Sequence, residues 1–185
     1  IPKFDNIVFV GGMANNILHY NGNPIGKSIK EDNCNSIIDD IFKTAKNNSC
    51  TIVYPEDVMI GKSMNDKAQI KQLNEITGDD LILDIGPKTI NKIKSIIENS
   101  ETILWNGPAG YFENPNFAKG SHEIAKKIIE KNKKNLIYSI AGGGDTIAVL
   151  NEIKAINNFN FVSTAGGAFL EYLEGKELPG IRALN

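Results

Sequence analysis

Ser-Ile-Ala-Gly-Gly-Gly-Asp-Thr-Ile-Ala, residues 139–148, joins an apolar strand to the start of a helical pattern through three consecutive glycines. Glycines at such a junction let backbone N–H groups approach an anion closely, and the N-terminus of the following helix adds unpaired donors and the positive end of its dipole. Asp145, the acid that follows them, carries a carboxylate that could hold the Mg²⁺ accompanying nucleotide phosphates. The stretch therefore predicts a phosphate-binding turn between a strand and a helix.

A second turn of the same kind follows about 20 residues later in the chain. Ser-Thr-Ala-Gly-Gly-Ala, residues 163–168, comes after the strand-like residues 160–162 and opens another helical run. Two anion-binding turns that face one cleft indicate phosphoryl transfer.

Outward from these turns, strand-like and helix-like segments alternate along the chain. Six β-rich runs are predicted at residues 6–10, 51–54, 81–85, 102–105, 136–140 and 160–162. Apolar residues at three-to-four spacing predict helices between them, as at Ile90, Ile93, Ile96 and Ile97. Alternating segments of this length predict an α/β fold with a mostly parallel sheet of about six strands.

Small or polar residues mark each predicted junction between a strand and the next helix. They occupy residues 11–12, 84–87, 106–108, 142–145 and 164–167. Because the carboxyl ends of parallel strands share one edge of a sheet, where ligands bind in open α/β folds, we expect the functional crevice along that edge.

Composition excludes several other classes of protein. A formal net charge of −2 argues against a nucleic-acid-binding protein, which usually carries a basic patch. The sequence contains no apolar run of the roughly 20 residues needed to span a bilayer, and its first residues do not resemble a signal peptide. We therefore expect a cytoplasmic protein that binds neither nucleic acid nor membrane.

Two other nucleotide-binding motifs fit the sequence poorly. If Gly142 and Gly144 are the first two glycines of a dinucleotide fingerprint, the third position falls on Ile147, which disfavours a hydride-transfer enzyme. Gly26-Lys27-Ser28 resembles the end of a Walker A loop, but Asn21 stands where its first glycine belongs.

Residues 105–113, Trp-Asn-Gly-Pro-Ala-Gly-Tyr-Phe-Glu, run from a strand end through a glycine–proline turn to an acid. Asn106 can hydrogen-bond a ribose or phosphate oxygen, and Glu113 can accept from ribose hydroxyls. The same residues also fit a purely structural role, with Trp105 in the core and Glu113 on a solvated loop. The local sequence leaves both interpretations open.

Taken together, these segments resemble the C-terminal, nucleotide-binding domain of the phosphoglycerate kinase family. The resemblance covers essentially the whole chain through motifs that occur in the family's order, at residues 10–15, 83–87, 105–108 with 112–113, 142–146, 162–168 and 173–180. It implies the three-layer, doubly wound, Rossmann-like fold of that domain. Residues 1–185 would then be one nucleotide-binding domain, incomplete at its N-terminal side.

The resemblance also implies an activity. Enzymes of this family, which act in glycolysis and work as monomers, reversibly transfer the acyl phosphate of 1,3-bisphosphoglycerate to magnesium ADP, giving 3-phosphoglycerate and ATP. The acceptor would be bound by an N-terminal domain that these residues do not include. The family's lysine-bearing strand and helix, just upstream of the nucleotide-binding domain, would be missing as well. Because those lysines belong to the nucleotide and transferring-phosphate sites, we expect the 185-residue chain to be inactive by itself and to bind nucleotide weakly at best.

Family roles map onto matching positions in this sequence. Adenine-site walls are expected at Gly11, Gly12, Ile82 and Leu83. Ribose and phosphate contacts are expected at Asn106, Pro108 and Glu113. The phosphate and magnesium turn is expected at Gly143, Gly144, Asp145 and Thr146, with Asp145 on the metal. Gly143 and Gly166 would offer backbone N–H groups to the transferring phosphoryl group as the catalytic donors.

Such a reaction needs alignment and charge stabilisation rather than a side-chain nucleophile, because an acyl phosphate already carries a good leaving group. Two positions depart from the family pattern: Ala165 stands where a third glycine is common, and Phe169 where a small hydroxyl residue is common. Because a fold alone does not determine activity, a non-catalytic nucleotide- or phosphate-binding module remains the alternative.

Overall fold

The computed structural model describes residues 1–184, in which short strands alternate with helices. The strands are β1 (Asn6–Val8), β2 (Thr51–Val53), β3 (Asp57–Gly61), β4 (Gln69–Gln72), β5 (Leu81–Ile85), β6 (Thr102–Asn106), β7 (Tyr138–Gly142) and β8 (Phe161–Val162). The helices are α1 (Gly11–Tyr20), α2 (Asn35–Asn47), α3 (Pro87–Glu98), α4 (Lys119–Lys133), α5 (Gly144–Glu152), α6 (Gly167–Leu173) and α7 (Pro179–Arg182).

The α/β class expected from the sequence is confirmed, and each of the six predicted β-rich runs overlaps a strand. Their pairing differs from one sheet of about six strands. β1 and β2 form a parallel pair, β6, β7 and β8 a parallel sheet in that order, and β4, β3 and β5 an antiparallel sheet. Neither strand of the β3–β4 hairpin was predicted. The mostly exposed sequence of β4, Gln-Ile-Lys-Gln, lacks an apolar signal, whereas β3, Asp-Val-Met-Ile-Gly, is largely buried.

Contacts divide the chain into two compact units. The first unit contains Ile1–Asn99 and Pro108–Ile124, and the second contains Ser100–Gly107 and the residues from Ala125 onward. Each unit therefore combines segments that are distant in sequence.

In the first unit, α3 shows how local sequence and a distant side chain together make a helix. Ile90, Ile93 and Ile97 recur at three-to-four spacing and are buried, and Pro87 occupies the first turn, where no N–H is needed. The Asp57 carboxylate, on β3, accepts the N–H groups of Lys88 and Thr89 at 2.9 and 2.8 Å. The N-terminus of α3 is thus capped by a residue 30 positions earlier.

In the second unit, the parallel sheet presents one well-covered face. Trp105 and Ala141 are paired on β6 and β7 and both are buried. The Trp105 ring lies 6.2 Å from the ring of Phe159, and α5 contributes buried Val149 and Leu150. This core supports the end of each strand from which the predicted turns extend.

Among the helices of residues 1–184, none combines the length and the apolar character needed to cross a bilayer.

Candidate functional site

In the second unit, three of the predicted junctions come together at one edge of the parallel sheet. Asn106 pairs with Gly142 at the ends of β6 and β7, and Ala141 pairs with Val162 on β8. Because the three strands are parallel, the residues that follow them leave the sheet at the same, carboxyl edge. The turns at 142–145 and 163–167 are therefore neighbours.

The first glycine turn joins β7 to α5 and has a backbone that only glycine adopts easily. Gly143 has φ 86° and ψ 139°, and its carbonyl accepts the N–H of Ile147 at 3.1 Å. Gly144 and Asp145 begin α5 and are exposed. Since the first-turn N–H groups of a helix have no acceptor within it, these exposed positions can present donors to an anion.

Asn106, at the end of β6, and Thr146, on α5, connect this turn to the end of β6. A methyl group built on Gly143 would lie 3.0 Å from Asn106 Oδ1, so the amide lies directly against the turn. The Gly107 N–H donates to Thr146 Oγ1 at 2.6 Å, and Thr146 is fully buried. The structure thus shows Thr146 fastening α5 to the β6 turn, a contact between residues 39 positions apart that spacing alone does not reveal.

The second glycine turn follows β8 and is held by Ser163, which the sequence analysis left without a role. Its N–H donates to the Ala141 carbonyl at 2.8 Å, and its buried side-chain oxygen accepts the N–H of Ala165 at 3.3 Å. Gly166, with φ 57° and ψ −135°, directly precedes α6. The only signal for Ser163 in the sequence was its position immediately after the strand.

The charged group at this edge is Asp145, in the first turn of α5. In residues 1–184, no three His, Cys, Asp or Glu side chains lie close enough together to hold a metal ion. Mg²⁺ is bound in proteins through one or two carboxylates together with substrate phosphates. One exposed carboxylate beside the Gly143 turn therefore fits Mg²⁺ that arrives with a polyphosphate.

The first unit gathers part of the expected adenine-site set around the loop that follows β6. The Gly11 N–H donates to the Ala109 carbonyl at 3.1 Å, and a methyl group on Gly11, at φ 59°, would lie 3.2 Å from the Pro108 carbonyl oxygen. The Tyr111 N–H donates to the Leu83 carbonyl at 2.7 Å. Gly11 and Leu83 thus both contact the short stretch of chain that begins at Pro108.

The other expected residues of this unit are placed differently. Gly12 and Glu113 are exposed, and no atom lies within 4 Å of a methyl group built on Gly12. Ile82 packs against the buried cluster of Val58, Ile60 and Ile76. Because successive side chains of a strand point to opposite faces, Ile82 and Leu83 present their side chains to different faces of β5.

Next to Leu83 lies an acid that the sequence analysis did not single out. Asp84 is buried, and its carboxylate accepts the Gly120 N–H at 2.7 Å, next to the start of α4, and the Ile85 N–H at 2.8 Å. Burial raises the pKa of the Asp84 carboxyl to about 7, although the two N–H donors oppose that shift. Asp84 therefore joins β5 to α4 and titrates near neutral pH.

Comparisons with known proteins agree with this arrangement. A family model described as phosphoglycerate kinase matches residues 1–176. Among curated relatives, the phosphoglycerate kinase of Zymomonas mobilis is 40% identical over 186 aligned residues, and that of Bartonella tribocorum is 42% identical; each alignment covers 100% of this chain and 47% of the relative. The chain thus spans about half the length of the relatives it matches.

Solved structures show the same similarity in three dimensions. Phosphoglycerate kinase from Coxiella burnetii superposes with a TM-score of 0.90 at 36% identity, over 97% of this chain and 46% of that one. The enzyme from Pyrococcus horikoshii gives a TM-score of 0.73 at 27% identity, over 97% and 45%. With a family model that matches nearly its full length, the chain belongs to the phosphoglycerate kinase family.

Proposed function

We propose that this chain is the nucleotide-binding, C-terminal part of a cytoplasmic phosphoglycerate kinase and binds ATP or ADP with Mg²⁺. The observation that carries the proposal is the pair of glycine turns at the carboxyl edge of β6, β7 and β8. Gly143 and Gly166 each have a positive φ directly before a helix. This arrangement aims backbone donors at one edge of the sheet, which suits a polyphosphate.

In the proposed reaction, a phosphoryl group leaves the carboxylate oxygen of 1,3-bisphosphoglycerate and bonds to the terminal phosphate oxygen of ADP. N–H groups at the Gly143 and Gly166 turns would stabilise the charge on the phosphoryl oxygens during transfer. Asn106 would hold the first turn and bind a phosphate or ribose oxygen. Asp145 would bind Mg²⁺, which when bound neutralises phosphate charge.

The adenine and ribose roles of Gly11, Gly12, Ile82, Leu83, Pro108 and Glu113 remain proposals that rest on the family resemblance. The roles of Gly11, Pro108 and Leu83 are supported by the contacts that Gly11 and Leu83 make with residues 108–111. For Ile82, packing against the core cluster favours a contribution from its backbone rather than its side chain.

Calorimetry with ADP at several Mg²⁺ concentrations tests the proposal. The chain should bind magnesium ADP, and Asp145→Ala should weaken binding about tenfold and reduce its dependence on Mg²⁺, because a loss of about 1.4 kcal/mol is tenfold in affinity. Glu171→Ala, which removes an exposed acid from α6, is the matched control and should bind as the unaltered chain does.

Three results would contradict the proposal. Equal affinity of the Asp145→Ala variant at every Mg²⁺ concentration would remove Asp145 from the metal site. Tighter binding of NADH than of magnesium ADP would favour an oxidoreductase. Binding of inorganic phosphate without any nucleotide preference would favour the non-catalytic module.

A further inference from the structure

Phe169, on α6, reaches from the second glycine turn to the first. It lies three residues after Gly166. A methyl group built on Gly142, at the end of β7, would lie 2.7 Å from Phe169 Cδ1 and 2.9 Å from Cε1. The same ring lies 6.5 Å from the ring of Phe161 on β8, centroid to centroid. The Phe169 side chain therefore belongs to the helix that follows the Gly166 turn, and it contacts the strand that leads into the Gly143 turn.

The contact explains why residue 142 is a glycine. Gly143 needs its conformational freedom, since its φ is 86°, whereas the φ of Gly142 lies outside the left-handed region. The restriction at Gly142 is therefore one of space. Its Cα is enclosed by the Phe169 ring and by Asn106 Oδ1, which would lie 3.3 Å from a methyl group there.

We propose that Phe169 is a positioning residue that sets the separation of the two glycine turns by packing its ring on Gly142. Its significance for nucleotide binding rests on the proposed function. The ring fills the space that glycine leaves open, so a shift of α6 toward or away from β7 would either create a clash or lose the contact.

Affinity for a polyphosphate tests the positioning role. Phe169→Ser should weaken binding of magnesium ADP and of magnesium pyrophosphate by about tenfold, equal to about 1.4 kcal/mol. Phe169→Tyr keeps the ring and should bind within about twofold, since a twofold change is less than about 0.5 kcal/mol. Tyr172→Ser removes a 58% exposed ring from the same helix and should have no effect. If Phe169→Ser unfolds the chain, Phe169→Leu replaces it in the comparison.

A ligand-independent readout accompanies these measurements. In the unaltered chain, the Phe169 ring should shift the Gly142 Hα resonances in the NMR spectrum, and Phe169→Leu should abolish that shift. Gly142→Ala should lower the folding equilibrium constant of the unaltered chain. In the Phe169→Ser background the same substitution should lower it less, and the two effects should differ by at least about threefold, which is within the range of coupling between contacting residues.

The outcomes separate the two proposals. If the unaltered chain binds ADP but Phe169→Ser binds equally well, or if the Gly142 and Phe169 effects are additive, the positioning role is wrong and the proposed function stands. If the unaltered chain binds neither magnesium ADP nor magnesium pyrophosphate, the proposed function is wrong, and so is any role of Phe169 in nucleotide binding.

Discussion

At the residue scale, the three neighbouring glycines of residues 142–144 differ in what they need. Gly142 is enclosed by side chains, Gly143 has a positive φ, and Gly144 has no atom within 4 Å of a methyl group built on it. Three identical residues therefore differ in what they require: Gly142 is limited by space, Gly143 by backbone conformation, and Gly144 by neither. Their substitutions should have different consequences.

Gly143→Ala should destabilise the fold by about 1–3 kcal/mol, the cost of holding a non-glycine residue in such a backbone conformation. Chemical denaturation measures the difference. Gly144→Ala is the matched control, and it should leave the free energy of unfolding within about 0.5 kcal/mol because alanine is favoured over glycine in a helix and meets no atom there. Equal losses in the two variants would contradict the assignment of strain to Gly143.

At the scale of elements, two buried aspartates connect strands to the N-termini of helices. Asp57 on β3 caps α3, and Asp84 on β5 accepts the N–H of Gly120 in α4. In both cases a carboxylate meets backbone donors and the positive end of a helix dipole. Glycine stands next to each carboxylate, because a methyl group on Gly86 would lie 2.3 Å from the Asp57 carboxyl carbon and one on Gly120 would lie 2.2 Å from Asp84 Oδ1.

Asp57→Asn should lower the free energy of unfolding by about 1–3 kcal/mol, because the amide cannot accept all of the hydrogen bonds that the carboxylate accepts. Besides the two N–H groups, Thr89 Oγ1 donates to Asp57 Oδ1 at 2.7 Å. Asp79→Asn is the control: its 2.9 Å ion pair with Lys27 is exposed and screened by solvent, so the loss of stability should be much smaller than at Asp57. A loss at Asp57 no larger than that at Asp79 would contradict the capping role.

Asp84 should give stability a pH dependence of a particular sign. Burial raises the pKa of its carboxyl from 3.8 to about 7, so between these values the folded protein keeps a proton that the unfolded chain has released. The contribution of Asp84 therefore falls as pH rises through this range, by at most about 1.4 kcal/mol per pH unit.

Urea denaturation of the unaltered chain and of Asp84→Asn, from pH 4 to pH 8, measures this contribution as the difference between the two curves. The difference should change across the interval and become flat above the pKa of the folded state. A difference that is constant with pH would show that Asp84 is ionised throughout, held by the N–H groups of Gly120 and Ile85.

At the scale of the whole molecule, the chain aligns with 46–47% of the length of its relatives. More than half of each of these relatives therefore lies outside the alignment, and the family resemblance implies that the acceptor-binding domain and a lysine-bearing segment belong to that part. We therefore predict that a coupled assay of the isolated chain with ADP and 1,3-bisphosphoglycerate detects no turnover, even where calorimetry detects magnesium ADP. Turnover comparable to that of a full-length relative, assayed in parallel as the positive control, would contradict this prediction.

The sequence by itself determined the α/β class, the six strand positions and the two glycine turns. These features depend on local signals: apolar periodicity along the chain, and glycines placed between a strand and a helix. The same signals did not separate one sheet of about six strands from three smaller ones, because strand pairing is a choice among distant segments. The β3–β4 hairpin was missed for a different reason in the case of β4, whose polar, exposed sequence has no apolar signal and whose pairing with β3 depends on backbone hydrogen bonds.

Only the tertiary structure decided what each candidate side chain does. Asp84 and Asp145 each stand at one end of a predicted junction, yet Asp84 is buried against Gly120 while Asp145 is exposed in the first turn of α5. Likewise, Thr146 fastens α5 to Gly107 across 39 positions, and Phe169 packs on Gly142 across 27. Burial and hydrogen bonding are set by segments far away in the chain, so no local pattern could have distinguished these roles.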